Sequence, residues 1–161
     1  MVVGDELRLY YFGKVGVEER LYLATTFDLK TFTKYEKNPI FTVRDAQLDG
    51  ERVLPNPVVK DGDKWYHFYD IGFDYRHPQH PRPYVICVAL SKDGIHVKDA
   101  DRNPIISRGL AGAWDDAMGM SGKRHEIDDW CYLIYSGASS RRDGKDGQSF
   151  GLARARAPLG P

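Results

Sequence analysis

One loop, Gly72–Pro83 (GFDYRHPQHPRP), concentrates Asp74, Tyr75, Arg76, His77, His80 and Arg82. Arg presents a planar fork of donors that matches an anion, and His and Tyr add polar tips on stiff rings. Such a set can grip hydroxyl groups, a carboxylate or a phosphate, with Arg76 and His77 as the leading binding residues. A second loop, Ala138–Gln148, carries Arg141, Arg142 and Lys145. The plainer reading of both is solvated surface with ordinary basic residues. His77 and His80 lack a third ligand, so no metal is assigned. Carboxylates gather elsewhere. Asp115 and Asp116 follow Trp114 directly. On a strand, adjacent side chains point to opposite faces, so one of the two at most serves a given face. Glu51 stands five residues ahead of Asn56-Pro57. Asn is no base, but its amide both donates and accepts hydrogen bonds.

Composition bounds the classes. A chain of 161 residues suits one domain able to bury a core without staples. Lys plus Arg and Asp plus Glu number 23 each, so the net charge is zero. That balance lacks a basic footprint, and no nucleic-acid partner is expected. No run of 18 apolar residues occurs, so no membrane is expected either. The N-terminus has no basic stretch followed by an apolar one. A signal peptide is therefore not expected in the chain, and a cytoplasmic location is the default. Cys87 and Cys131 each sit in an apolar run, which suits buried thiols better than a disulfide. No cofactor is implied.

The elements that must hold these residues are strands. Aromatic residues make up 12% of the chain and fall in short alternating runs. Leu7–Phe12, Lys64–Tyr69 and Trp130–Tyr135 are three such runs. Each is followed, after a loop, by a second: Leu21–Thr25, Tyr84–Leu90 and Phe150–Ala155. Segments ending in Asn-Pro plus two apolar residues come next, at Asn38–Phe41 and Asn103–Ile106. Asn38 to Asn103 spans 65 residues, Thr26 to Ser91 spans 65, and Tyr66 to Tyr132 spans 66. A shared period of that length, with four strands per unit, predicts propeller blades. A β-sandwich of about ten strands would explain the alternation but not the recurrence. The innermost strands are expected at Arg52–Lys60 and Trp114–Arg124. The first unit is expected to begin at its second strand and the last to stop at its third, giving about ten strands.

The ordered series Asn56–Val59, Asp61–Tyr69, Ala89–Gly94, Asn103–Ile106 and Trp114–Gly137 resembles the five-bladed β-propeller glycoside hydrolases. These include families 32, 43, 62, 68, 117 and 130, meaning invertases, arabinanases, xylosidases and glycoside phosphorylases. The resemblance implies an all-β module of about three four-stranded repeats, at approximately 1–50, 51–110 and 111–161. That is an incomplete ring for one chain. It implies a glycosidase whose funnel carboxylates do acid and base chemistry on an oligosaccharide or glycoside. Asp115 or Asp116 is then the funnel carboxylate, at the start of the last inner strand, and Glu51 an acid or base from the loop. Asn56 replaces the usual Asp of the middle unit and contacts substrate, as does Trp114 by stacking on a sugar. Arg76 and His77 lie on the rim. Trp65, Tyr66, Trp130 and Tyr132 are expected to pack between blades, and His67 and His96 to be structural. The alternatives are a non-catalytic carbohydrate-binding or scaffold propeller, or a fragment of a longer glycosidase or phosphorylase. A homodimer would complete the ring.

Overall fold

A computed structural model describes residues 1–16, 18–48, 50–73, 84–116, 118–139 and 149–156. Among these lie eleven strands in three antiparallel sheets. The first sheet holds β1 (Val2–Val3), β2 (Glu6–Val15), β3 (Glu18–Thr26) and β4 (Thr33–Lys34). The second holds β5 (Arg52–Asp61), β6 (Lys64–Gly72), β7 (Tyr84–Ser91) and β8 (Lys98–Asp99). The third holds β9 (Met118–Ile127), β10 (Trp130–Ala138) and β11 (Ser149–Arg156). Each sheet is a meander in chain order. The expected count of about ten is low by one. The short β1 pairs Val2 with Leu7 ahead of what was read as the first strand. Two residues are too few for an alternation signal.

The repeat holds at the level of single hydrogen bonds. Asn38 accepts from the Leu23 amide at 2.8 Å and donates to the Leu23 carbonyl at 2.8 Å. Asn103 does the same with Val88, at 2.9 and 2.8 Å. One carboxamide thus satisfies both polar groups of a β-strand residue, doing the work of a neighbouring strand. Both Asn-Pro peptides are cis. After β3 and β7 the same turn recurs. Thr26 accepts from the Leu29 amide and Ser91 from the Gly94 amide, while Asp28 and Asp93 each cap two further amides. Leu29 and Gly94 both have positive φ, 60° and 78°.

The sheets stack face to face. β3 packs on β5, β7 packs on β9, and β5 touches β9. The first strands of the second and third sheets therefore adjoin, as neighbouring blades require and as two separate layers would not allow. The main core lies between the first two sheets, where Leu21 and Phe41 meet Val53, Tyr69, Ile71, Cys87 and Ala89. A polar knot seals it. Asp99 accepts from the Tyr69 hydroxyl at 2.6 Å, the Gln47 amide at 2.7 Å and the Asn103 amide at 2.5 Å. Neither cysteine is in a disulfide and both are buried, as expected, and burial pushes the Cys87 thiol up to about 12.

The second junction is looser. Tyr66, Phe68, Val88 and Leu90 face Cys131, Leu133 and Ala153 across a cavity of about 780 Å³. The 66-residue offset between β6 and β10 places Cys131 where β6 has Trp65, and Leu133 where it has His67. Smaller side chains at those places leave the wedge between radiating sheets unfilled.

Candidate functional site

Trp114, Asp115 and Asp116 were expected inside an inner strand. The structure corrects this: strand pairing starts at Met118, opposite Ala138, and the three residues form the turn before it. The turn is closed by Ala113 N to Leu110 O at 2.8 Å and Asp116 N to Ala113 O at 3.4 Å. Gly112, at φ 91°, makes the bend that a side chain resists. Asp116 turns back and accepts from the Gly112 amide at 2.7 Å. Its carboxylate holds the turn together, as Asp does where it competes with regular structure.

Asp115 goes the other way. It is 8% exposed and accepts from the Tyr135 hydroxyl at 3.2 Å. Its carboxyl group lies so close to Gly109 that a Cβ there would collide with Oδ1. The Gly109 amide in turn donates to the Asp115 carbonyl at 3.2 Å. Burial, and then the Asp115 charge and hydrogen bond, push the Tyr135 phenol above its usual range, so Tyr135 stays a donor.

Trp114 remains 38% exposed. Its ring rests on Gly137 and Gly151, where an added Cβ would meet indole carbons at 2.6 Å. Tyr135 flanks it at 5.5 Å between centroids, with 37° between planes. Glycines on two adjacent strands thus make a flat floor, and the floor holds an indole partly open to solvent beside a recessed carboxylate. Chemically, that pairs an apolar ring platform with a hydrogen-bond acceptor or base.

The other expected residues do not join this turn. Glu51 precedes β5 and is exposed, its amide donating to the Gly72 carbonyl at 2.8 Å. Asn56 lies inside β5, within the strand expected at Arg52–Lys60, at the bulge between Pro55 and Val58. Five strand residues separate it from Glu51, roughly 16 Å if extended. The bulge follows from Pro57, which has no N–H for the ladder. Asn56 donates to the Leu54 carbonyl at 3.3 Å. Arg76, His77 and the rest of the 74–83 loop lie outside the described residues, as do Arg141, Arg142 and Lys145. Among the described residues no His, Cys, Asp and Glu cluster could hold a metal. His96 is exposed and bonds Asp93 at 2.6 Å, a turn contact. Trp65 and Tyr66 pack between sheets as expected. Trp130 and Tyr132 do not, since they sit half-buried on the far face of the third sheet.

Sequence reasoning missed Tyr135, Gly109, Gly137 and Gly151. The two floor glycines were findable only with strand register, which sets Gly151 opposite Tyr135. The 66-residue offset also carries Asp115 back to Asp49, outside the described residues. The cavity between the second and third sheets is lined by none of the candidate site residues Glu51, Asn56, Trp114, Asp115 and Asp116.

No protein-family model matches the sequence, and no curated protein does. Solved structures match in three dimensions. A Bombyx mori family GH32 β-fructofuranosidase shares 18% identity and a TM-score of 0.67, over 97% of this chain and 32% of its own. A sucrose-6-phosphate hydrolase from Lactobacillus gasseri reaches 0.71 at 12% identity, over 94% and 29%. A β-1,2-mannobiose phosphorylase from Listeria innocua, in complex with β-1,2-mannobiose, reaches 0.63 at 17%, over 94% and 37%. The chain spans about a third of the length of these structures. Its three sheets, stacked in order on adjoining inner strands, are propeller blades of the fold shared by these glycoside hydrolases and phosphorylases.

Proposed function

We propose that the chain acts on a glycan by carboxylate chemistry, as an O-glycosyl hydrolase or part of one. The observation that carries this is the recessed Asp115 carboxylate beside the open Trp114 ring, in the turn that leads into an inner strand. The apolar face of a sugar stacks on Trp114, and Asp115 accepts a hydroxyl or receives a proton. Glycosidic cleavage needs one carboxylic acid to protonate the leaving oxygen and one carboxylate on the opposite side of the anomeric carbon. Glu51 is the second carboxylate of this reading, and Arg76 and His77 are its rim contacts. Asp116 holds the turn and takes no part in proton transfer. The likeness to hydrolase and phosphorylase structures supports the glycan class, and one neighbour holds a disaccharide.

A second reading is a non-catalytic carbohydrate-binding or scaffold propeller, or a portion of a longer glycosidase or phosphorylase. It is favoured by Asn56, where the family has Asp, and by the share of each neighbour that the chain covers.

The test is a panel of aryl glycosides, assayed with and without phosphate. Asp115→Asn lowers turnover by at least about a hundredfold. Asp116→Asn lowers the melting temperature more than the rate. Oligosaccharide binding by the unsubstituted chain without turnover of any glycoside removes the enzyme reading and leaves the binding one.

A further inference from the structure

The second sheet is a reference for the third, because β6 and β10 run in step at an offset of 66 residues. Tyr135 holds the place of Tyr69, and Gly137 that of Ile71. On the next strand, Gly151 pairs with Tyr135 as Cys87 pairs with Tyr69. Ile71 and Cys87 are wholly buried and pack in one cluster with Tyr69. The third sheet lacks both side chains, and the Trp114 indole lies where they would be. A Cβ on Gly137 or on Gly151 would meet that ring at 2.6 Å. The sheet keeps the tyrosine and gives up the side chains beside it, and the turn residue takes their room.

Tyr135 then touches both halves of the site. Its ring flanks the indole at 5.5 Å between centroids. A Cβ on Gly151 would lie 2.8 Å from Tyr135 Cε1, so both rings rest on the same bare Cα. Its hydroxyl donates to Asp115 Oδ2 at 3.2 Å. Trp114 and Asp115 belong to a turn and have no strand ladder of their own. The regular sheet fixes them through the side chains that reach them, and the neighbours of a reacting group set its geometry. The raised phenol pKa keeps the hydroxyl protonated, and therefore donating, at neutral pH.

We infer that Tyr135 is the positioning residue of the site: its ring props the Trp114 platform and its hydroxyl aims the Asp115 carboxylate. A stacked sugar and the carboxylate are thereby held in one geometry by a single β10 side chain. The inference rests on the glycan reading of Trp114 and Asp115, and it divides two effects within one residue. The hydroxyl serves turnover, and the ring serves binding.

Two experiments test it. In glycoside turnover, Tyr135→Phe keeps the ring and loses the donor. It is expected to lower kcat at least about tenfold and to leave KM within about twofold. Tyr135→Leu removes the ring as well and is expected to raise KM by a further factor of about ten. A Tyr135→Phe chain with the parent's kcat, or one that changes KM alone, overturns the inference. The second experiment needs no activity. The Tyr135 Cζ carbon, identified by its loss in Tyr135→Phe, is titrated by nuclear magnetic resonance in the parent and in Asp115→Asn. Removing the Asp115 charge is expected to bring the phenol midpoint down toward the ordinary tyrosine value. An unmoved midpoint overturns the contact, and with it the inference, even where turnover is intact. A parent that turns over no glycoside while the midpoint moves fails at the enzyme reading instead, and the positioning role in turnover falls with it.

Discussion

Asp115 is held by groups that leave it little choice of position: the Tyr135 hydroxyl on one side and the bare Cα of Gly109 on the other. Gly109→Ala is therefore a probe of the carboxylate that leaves its charge intact. The new methyl group displaces Oδ1, and a displacement of about an ångström costs up to a hundredfold where geometry does the catalysis. Oligosaccharide binding and glycoside turnover are expected to fall at least about tenfold. A Gly109→Ala chain that matches its parent in both takes Asp115 out of the site. The sequence picked out Trp114, Asp115 and Asp116 because the residue types announce themselves. It could not divide the labour between the two carboxylates. An assumed strand alternation gave them opposite faces, whereas a turn sends Asp116 back to Gly112 and Asp115 inward. Tyr135 lies 20 residues on and meets Asp115 only through the sheet, so no local pattern reveals it.

At the scale of elements, the repeat supplies paired experiments. Leu29 and Gly94 occupy the same turn place with positive φ, but only Gly94 is the residue type that adopts it without strain. Leu29 is exposed, so Leu29→Gly is expected to stabilise by about 0.5–1 kcal/mol. Gly94→Ala is expected to cost about 2–3 kcal/mol, because the added Cβ would meet the Tyr10 hydroxyl and the Trp65 ring at 2.7 and 2.8 Å as well as straining φ. Urea unfolding of both variants checks the opposite signs. Strand existence and order were legible, since alternating aromatic runs and turn residues carry them. Two-residue strands were not, since pairing of that length rests on neighbours. Asn38 and Asn103 were legible as landmarks, but their bidentate grip on β3 and β7 was not.

For the whole molecule, the interface of the first two sheets has a pH-sensitive flaw. His67 is buried, and neither ring nitrogen has a hydrogen-bond partner among the described residues. Burial pushes its pKa down to about 4, against 6.5 for the free side chain. The unfolded chain thus binds a proton that the folded chain refuses. Stability is full above about pH 6.5 and falls as pH drops toward 4, by up to about 3 kcal/mol. His67→Leu copies the Leu133 place of the third sheet and removes that ionisation. The melting temperature of the parent is expected to fall relative to His67→Leu between pH 7 and pH 4.5. Parallel curves would return the proton to some other group.

The Asp99 knot has a kinetic consequence. Its carboxylate ties the segment leaving the first sheet, at Gln47, to Tyr69 and Asn103 of the second. Those two sheets must come apart together, as one cooperative unit. The third sheet leans on the second across an unfilled wedge. Under native conditions its amide protons on β10 and β11 are expected to trade for deuterium through a partial opening that leaves those of β6 and β7 protected. Local breathing would then begin at the blade that carries Trp114 and Asp115, the residues of the proposed site.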